Sequence, residues 1–593
     1  MVRDGCRIPL FTPYAMPIIS FTPLAKLQQV RQQVRQQVRQ QVRLNVLSER
    51  NTLPVTERFS SFHFYCNPQM EMEGTQLSAE TARYAKTKLE ALVHANLSRV
   101  TLSPLRFGLS TLASLVAAYL FSVAIYRIYF HPLSKYPGPL LLKLTSVVWT
   151  YHFVKGDIIK WNDQLHTKYG ETVRLGPDRL SFINPRAWKD IYGHKHGKYR
   201  PNVKNLDRFV GKMTSNVHPM ATEPTTAGHA AQKKQFNHAF SDRALTEQES
   251  LIGKYIDRLI EVPKNDIAAS PDKKIEVDVA KLYNFTTFDI MGDLTFGEDL
   301  GQLKTGVESS WVKAVYVSFK FLTAMSVMKA SPLGGLLYAA MAPKNVVADC
   351  TNHIENSNAL VDKRLEKGNN GHPDIFGFIL RQPGNPMSRA QMKANAGMFM
   401  MSGTETTATT LTAITWLLLN HPDKMEKTIR EIRAVPGQSH LTSATVKKLK
   451  YMNAVIDEAM RLYPAGQTGL GSQREMAPGG NQTQVAMPSW TVFNSPRYWK
   501  DPLRFVPERW LPEEAEFAAY HEYDNHLAWV PFGTGPRACI GQNIALHEMR
   551  SILSRFLYEF DLELSPESRD WHEKKTAGIW AKPSLKVGLR NAE

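Results

Sequence analysis

The ten residues Phe532-Gly-Thr-Gly-Pro-Arg-Ala-Cys-Ile-Gly541 decide how this chain is interpreted. Glycines and a proline lead into Cys539, and a helical pattern follows from Gln542. A thiolate that ligates a metal needs backbone N–H donors near its sulfur, and glycine lets the backbone approach that closely. The alternative is a glycine-rich turn with an incidental buried cysteine. The fixed spacing of five residue types favours a ligand loop.

The remaining composition narrows the class of protein. The 593-residue chain has four cysteines, and the other three, Cys6, Cys66 and Cys350, form no C-x-x-C pair. Neither a zinc site nor a disulfide framework is therefore indicated. The net charge of +17 favours solubility and affinity for anionic lipid headgroups. No nucleic-acid recognition motif accompanies that charge, so we expect no nucleic-acid partner.

The cysteine loop resembles the haem-binding signature of the cytochrome P450 family, F-x-x-G-x-R-x-C-x-G. The match falls on Phe532, Gly535, Arg537, Cys539 and Gly541. Three further motifs of the family follow the family's order in this chain: Ser402-Gly-Thr-Glu-Thr-Thr407, Glu458-Ala-Met-Arg461 and Pro507-Glu-Arg-Trp510. The resemblance covers roughly residues 107–593. It implies a mainly α fold with a small β region, the P450 haem-thiolate fold, preceded by one transmembrane helix.

The resemblance also implies a set of haem-binding residues. Cys539 is expected to be the axial ligand of the haem iron, with Phe532 and Gly533 in the same binding loop. Arg537 is expected to pair with a haem propionate, since a guanidinium binds carboxylates strongly.

Three further residues are expected at the propionates. Arg474 occupies the place where the family often has a propionate-binding arginine. His229 and Lys233 resemble the family's W/H-x-x-x-R pair, with lysine in place of arginine. Lysine supplies charge without the bidentate fork of arginine.

The second motif lies in a long apolar helical pattern, Met392–Leu419, which Ser402-Gly403 interrupts. Glycine inside a helix costs up to about 1 kcal/mol relative to alanine, so it should have a reason. We expect a local widening with room for dioxygen and a water. Glu405 and Thr406 beside it would deliver protons. The alternative is an ordinary buried helix whose hydroxyl bonds back to a carbonyl.

A structural role is expected for Glu458, Arg461 and Arg509. Glu458 and Arg461 are three residues apart, so they share one face of a helix and can pair. An isolated pair of this kind is usually a solvated surface bridge. The family resemblance implies instead a buried cluster, which Arg509 of the Pro507–Trp510 segment joins.

The composition along the chain predicts four segments. Residues 1–106 form an atypical extension that includes the QQVR repeat of Gln28–Arg43. We predict a flexible extension, with a short amphipathic membrane-surface helix as the alternative. The uncharged run Phe107–Tyr126 is long enough to cross a bilayer as a helix, and a buried soluble helix is its alternative. A proline-rich linker at 127–139 then leads to a haem-thiolate catalytic domain at 140–593.

One stretch departs from the family's pattern. The family has a strand, a turn and a second strand after the Pro-Gly-Gly turn, and Asn481–Ser495 is several residues too short for all three. Pro488 cannot donate to a ladder, and Thr491-Val-Phe is the one piece with a strand-like alternation. We predict that the small sheet is incomplete here, with one strand shortened or replaced by a loop.

The resemblance implies a monooxygenase that inserts one oxygen atom of O2 into an apolar small molecule. Electrons would come from NADPH through a separate NADPH–cytochrome P450 reductase, because the chain has no flavin or dinucleotide fingerprint. Cytochrome b5 is a second expected partner. The expected location is the endoplasmic reticulum membrane, crossed once, with the catalytic domain in the cytosol.

Three segments look most like those of filamentous-fungal enzymes: Tyr129–Pro139, Arg461–Pro464 and Asn237–Ser241. They favour secondary-metabolite biosynthesis, with a terpenoid or polyketide substrate, similar to isotrichodermin hydroxylase-like enzymes. The alternatives are a haem-thiolate isomerase or dehydratase, and a non-catalytic haem-binding protein. The intact Glu405-Thr406 pair favours the monooxygenase over both.

Overall fold

The computed structural model describes residues 74–195, 202–204, 217–315, 344–384, 387–466, 474–476, 483–572, 576 and 580–592. The QQVR repeat lies outside these residues. The chain divides into two compact units, 1–117 and 118–593.

Helices make up most of the described chain. In chain order they are α1 (Gly74–Ile125), α2 (Leu140–Leu144), α3 (Val147–Lys155), α4 (Ile158–Tyr169), α5 (Arg186–Tyr192), α6 (Thr226–Phe236), α7 (Asp242–Ala269), α8 (Val279–Phe296), α9 (Gln302–Thr305), α10 (Lys344–Glu366), α11 (Ile375–Leu380), α12 (Arg389–Leu419), α13 (Pro422–Arg433), α14 (Ser443–Val446), α15 (Lys450–Leu462), α16 (Ser489–Phe493), α17 (Phe517–His521) and α18 (Gln542–Glu559).

Two small sheets complete the described fold. Their strands are β1 (Thr172–Gly176), β2 (Arg179–Phe182), β3 (Val203–Lys204), β4 (Ile275–Asp278), β5 (Arg474–Met476), β6 (Thr483–Ala486), β7 (Phe560–Leu564) and β8 (Lys586–Asn591). One sheet has the order β1-β2-β6-β5-β3 and the other β4-β8-β7. In the first, β2 and β6 run parallel, and its other pairs are antiparallel. The mainly α fold with a small β region agrees with the expectation.

The apolar run is helical and fully exposed. Within the described residues, one helical segment, Phe107–Phe130, is long and apolar enough to cross a membrane. Its last residues, Tyr126–Phe130, form a π-helical turn. The helix begins at Gly74, inside the extension that was expected to be flexible. The segment from Gly74 to Arg106 is rich in Ala, Leu, Glu and Lys, which are strong helix formers.

A buried arginine ties the linker to the first sheet. Arg174 on β1 is fully buried, and its Nη1 donates to the carbonyl oxygen of Arg127 at 2.9 Å. The same guanidinium donates to the carbonyl oxygens of Gly176 and Pro177. Hydrogen bonds therefore fix the chain that follows the apolar helix against the first sheet.

The short stretch after residue 480 contains one described strand. Strand β6 pairs with β2 and β5. The chain then forms the helical turn α16, so Thr491-Val-Phe is helical and not strand-like as its alternation suggested. Trp490 and Asn494 line a groove of about 1050 Å³. These observations agree with the prediction that the small sheet is incomplete.

The central helix α12 packs closely against α8. Gly403 makes this contact possible, because a Cβ atom there would overlap the side chain of Met291. Helix α18 and the cysteine loop lie on another side of α12, and α6 lies near its first half. These four elements enclose the site.

Candidate active site

The backbone of the cysteine loop is folded back on itself. The N–H of Cys539 donates to the carbonyl oxygen of Phe532 at 2.8 Å. Gly533 and Gly535 have positive φ angles of 71° and 77°, a region that favours glycine. A Cβ atom at Gly535 would also overlap the carbonyl oxygen of Tyr192. This loop can therefore form only with glycine at that position.

The thiol of Cys539 lies inside the protein and is nevertheless accessible, because it faces a cavity. Burial raises the pKa of the Cys539 thiol. The N–H of Gly541 and the positive charge of Lys233 act in the opposite direction and favour the thiolate. The Gly541 N–H and the Lys233 ammonium thus stabilise a negatively charged sulfur. A metal ion bound to Cys539 would ionise the thiol fully.

The cavity has a volume of about 390 Å³ and a mostly apolar wall. Phe240, Met398, Phe399 and Ile544 contribute apolar side chains to it. Three basic residues also line it: Lys204, His229 and Arg537. This donor set fits haem, which is a flat apolar group with two carboxylates at its edge and an iron that takes a thiolate.

Hydrogen bonds position two of the three basic residues in the cavity wall. Nη2 of Arg537 donates to the carbonyl oxygen of Glu223 at 2.7 Å. The ammonium of Lys204 donates to the carbonyl oxygen of Ala221. His229 is buried in the cavity wall. Lys204 and Arg537 therefore place positive charge, and His229 a ring nitrogen, where an acidic edge of a bound group could meet them.

Lys233 does not belong to the described cavity wall. Its ammonium donates to the carbonyl oxygens of Pro536 and Ala538 at 3.0 and 3.4 Å. Burial lowers the pKa of this ammonium, and the charge of Cys539 acts in the opposite direction. The structure thus places the Lys233 ammonium against the cysteine loop. Arg474 is the first residue of β5, and its side chain lies outside the description.

Helix α12 presents a polar face to the cavity. Ser402, Gly403, Thr406 and Thr407 line it. The helix is continuous through these residues, so the expected widening is not a break in the helix. The Thr406 hydroxyl donates to the carbonyl oxygen of Ser402 at 2.6 Å. Thr406 therefore lies at the cavity as expected, with its proton engaged inside the helix.

Glu405 points elsewhere. Its carboxylate pairs with the ammonium of Lys582 at 2.9 Å, and both side chains are buried. Lys582 also donates to Oδ1 of Asn284 at 2.6 Å. The described cavity wall does not include Glu405. The structure therefore does not bring Glu405 and Thr406 together at the cavity.

The structure brings Glu458, Arg461 and Arg509 into one fully buried group. These three residues and the adjacent Trp510 are called the Glu458 cluster. Arg461 donates to both carboxylate oxygens of Glu458 at 2.8 Å, and Arg509 Nε donates to Oε1 at 3.1 Å. Trp510 donates to Oε2 at 3.0 Å. Burial alone would raise the pKa of Glu458, but the charges of Arg461 and Arg509 hold it below its usual value. The geometry is that of a satisfied structural cluster.

Sequence reasoning missed the cavity residues Lys204 and Glu548 and the ion-pair partner Lys582. Glu548 lies in the cavity wall on the same face of α18 as Ile544 and Ala545. The spacing of these residues was readable, because positions three and four apart share a helix face. A carboxyl group on an otherwise apolar face was the signal. No local pattern announces Lys204 or Lys582.

Comparison with known proteins gives a consistent result. The family model described as "Cytochrome P450" matches residues 137–588. The chain is 38% identical over 479 residues to "Cytochrome P450 monooxygenase FUM2" of Gibberella moniliformis, covering 79% of this chain and 99% of that protein. It is 35% identical over 500 residues to "Cytochrome P450 monooxygenase efuB" of Hormonema carpetanum, covering 81% and 97%. It is 34% identical over 493 residues to "Trichothecene C-15 hydroxylase" of Fusarium sporotrichioides, covering 80% and 96%.

Proposed function

Because the chain belongs to the cytochrome P450 family, we propose that it is a fungal haem-thiolate monooxygenase that inserts one oxygen atom of O2 into an apolar secondary metabolite. The observation that carries this proposal is the arrangement around Cys539. A thiol in a glycine-shaped loop faces an apolar cavity with basic residues in its wall.

Haem, when bound, supplies an iron that activates dioxygen, and a thiolate ligand favours cleavage of the O–O bond. The chain's own residues hold and surround that group. Cys539 is the proposed ligand, and the N–H of Gly541 stabilises its charge. Arg537 and Lys204 would offer positive charge to the propionates, and His229 a ring nitrogen.

The cavity wall orients the substrate and excludes water. Met398 and Phe399 on α12 and Phe240 after α6 supply apolar surface for a hydrocarbon skeleton. Thr406 places a hydroxyl group at the same wall, where it can hold or pass a proton. Glu405 could join that route only by leaving Lys582.

Electron supply is proposed to come from NADPH through NADPH–cytochrome P450 reductase, with cytochrome b5 as a second donor. The absence of a flavin or dinucleotide fingerprint from the sequence supports a separate reductase. Exposed basic residues near the cysteine loop, such as Lys234, offer charge to an acidic partner.

Anchoring in the endoplasmic reticulum membrane, with the catalytic domain in the cytosol, is also proposed. The exposed apolar helix Phe107–Phe130 supports an anchor. A variant lacking residues 1–100 should remain in the membrane fraction. A variant lacking residues 1–126 should become partly soluble. Release of the first variant would show that the anchor lies before this helix.

The substrate class is inferred from relatives. One of them is named for hydroxylation of a trichothecene at C-15, and two others are named monooxygenases from fungi. We therefore propose a terpenoid or polyketide substrate. Comparison of metabolite extracts from the host with and without this gene should reveal one precursor that accumulates and one oxygenated product that disappears.

Two measurements separate the alternatives. Reduced membranes with carbon monoxide should give the spectrum of thiolate-ligated haem. The accumulated precursor should then be converted with reductase and NADPH, with consumption of O2. Conversion without NADPH would indicate an isomerase or dehydratase, and a haem spectrum without any conversion would indicate a haem-binding protein.

A further inference from the structure

The sequence contains three acceptor sites for N-linked glycosylation, Asn-x-Ser/Thr, and the apolar helix separates them. Asn96-Leu-Ser98 precedes Phe107–Phe130, whereas Asn284-Phe-Thr286 and Asn481-Gln-Thr483 follow it. None has proline in the middle position, so all three match the acceptor sequence. Oligosaccharides are transferred to this sequence in the lumen of the endoplasmic reticulum, the compartment that secreted proteins enter. A chain that crosses the membrane once at this helix exposes either the first site or the other two.

The two later sites are built into the fold of the catalytic domain. Thr286 on α8 is fully buried. Oδ1 of Asn284 accepts a hydrogen bond from Lys582, which is itself buried in its ion pair with Glu405. Thr483, the third residue of the last site, is buried in β6. A glycan is bulky and hydrophilic, so one on Asn284 would disrupt the packing around this ion pair.

The first site has a different setting. Asn96 belongs to α1 and lies 11 residues before Phe107, where the apolar run begins. Eleven residues span about 16 Å along a helix axis. The headgroup layer on each side of the hydrocarbon core is only about 5–8 Å thick, so Asn96 lies beyond the headgroups. The described side chains between Arg83 and Ala91 of the same helix are exposed to solvent. The acceptor sequence therefore belongs to a solvated segment outside the bilayer.

We propose that Asn96 carries an N-linked glycan in the lumen of the endoplasmic reticulum. The donor is a lipid-pyrophosphate-linked oligosaccharide of that membrane. The amide nitrogen of Asn96 forms a bond to the anomeric carbon of the oligosaccharide and loses one proton. The bond from that carbon to the pyrophosphate oxygen breaks, and the lipid pyrophosphate leaves. The inference rests on the proposed anchoring, with the catalytic domain in the cytosol, because only that orientation brings Asn96 into the lumen.

The glycan can be measured on the full-length protein in membranes of the fungal host, by denaturing gel electrophoresis before and after peptide-N-glycosidase. Wild type should lose the mass of one glycan on digestion. Asn96→Gln and Ser98→Ala should migrate like digested wild type and should not change on digestion. Ser98→Thr keeps the hydroxyl group that the acceptor sequence requires, so it should retain the glycan. Asn284→Gln is the matched control from the catalytic domain and should retain the whole shift.

A relocated site separates the glycan from the orientation of the anchor. Ala85→Asn, combined with Asn96→Gln, moves the acceptor sequence to residues 85–87, which is 11 residues farther from the apolar run. An unmodified wild type with a glycosylated double variant would overturn the assignment of Asn96 and leave the anchoring intact. A glycan that Asn284→Gln or Asn481→Gln removes would place the catalytic domain in the lumen and overturn both proposals. Absence of a glycan from wild type and from the double variant would also overturn both.

Discussion

The Glu458 cluster and the cavity wall both contain a buried glutamate, and the two glutamates differ in how completely they are paired. Glu458 receives hydrogen bonds from Arg461, Arg509 and Trp510. Glu548 is also buried, and its Oε1 has no hydrogen-bond partner in the described part of the chain. Complete pairing fixes a structure, whereas an incompletely paired group can still exchange a proton or a ligand.

The largest expected effect lies on the cavity side. Cys539→Ala should abolish the thiolate-ligated haem spectrum in reduced, carbon-monoxide-treated membranes, because no other group in the described cavity wall is a thiol. Cys350→Ala on α10 is the matched control and should keep the spectrum. A thiolate spectrum in Cys539→Ala would mean that the ligand has been assigned wrongly.

The next effect lies on the cluster side. Glu458→Ala should destabilise the fold by about 3–5 kcal/mol, since it leaves two buried guanidinium groups without their carboxylate. Glu426→Ala removes an exposed pair with Arg430 and should cost less than about 1 kcal/mol. Thermal unfolding of both detergent-solubilised variants measures the difference. Equal unfolding midpoints for the two variants would show that the buried and the exposed ion pair contribute equally to stability.

A smaller effect is expected at Thr406. Thr406→Ala should bind haem and consume NADPH, but it should release more peroxide and at least several-fold less product, within the roughly 100-fold range of acid catalysis. Thr409→Ala is the control, because its buried hydroxyl donates to the carbonyl oxygen of Glu405 and lies outside the described cavity wall. An unchanged ratio of product to NADPH in Thr406→Ala would count against its role.

The last comparison is a pair of opposite pH dependences. Burial opposes ionisation of Glu508, beside the cluster, but hydrogen bonds from Lys424 and Tyr451 lower its pKa from 4.5 to about 2. Its contribution to stability is full above pH 4.5 and is lost as the pH falls through about 2. Burial raises the pKa of Glu548 from 4.5 to about 8, so the stability it contributes at low pH is lost as the pH rises toward 8.

Thermal midpoints across pH check both signs. In acid, the thermal midpoint of Glu508→Gln should approach that of wild type. Between about pH 5 and 8, the midpoint of Glu548→Gln should rise relative to that of wild type. Parallel curves for wild type and Glu548→Gln would show that its folded-state pKa is not raised.

Sequence patterns predicted the parts of the site that depend on local geometry. The cysteine loop and the Glu458–Arg461 pair are short-range features, and the structure places both as the motifs imply. The orientation of Glu405 was not predictable, because its partner Lys582 is distant in sequence. Thr491-Val-Phe alternates like a strand but forms a helical turn, since no described neighbouring strand offers it a ladder. Long-range partners, and not local propensity, decided these outcomes.

The Glu405–Lys582 ion pair also limits how early the central helix α12 can complete its packing during synthesis. The two residues are 177 positions apart, and Lys582 lies 11 positions from the end of the chain. At about 5–20 residues per second, the ribosome synthesises Lys582 roughly 10 to 35 s after Glu405. Until then the middle of α12 carries a carboxylate whose buried partner does not yet exist. The central helix therefore cannot reach its final burial before Lys582 has been synthesised.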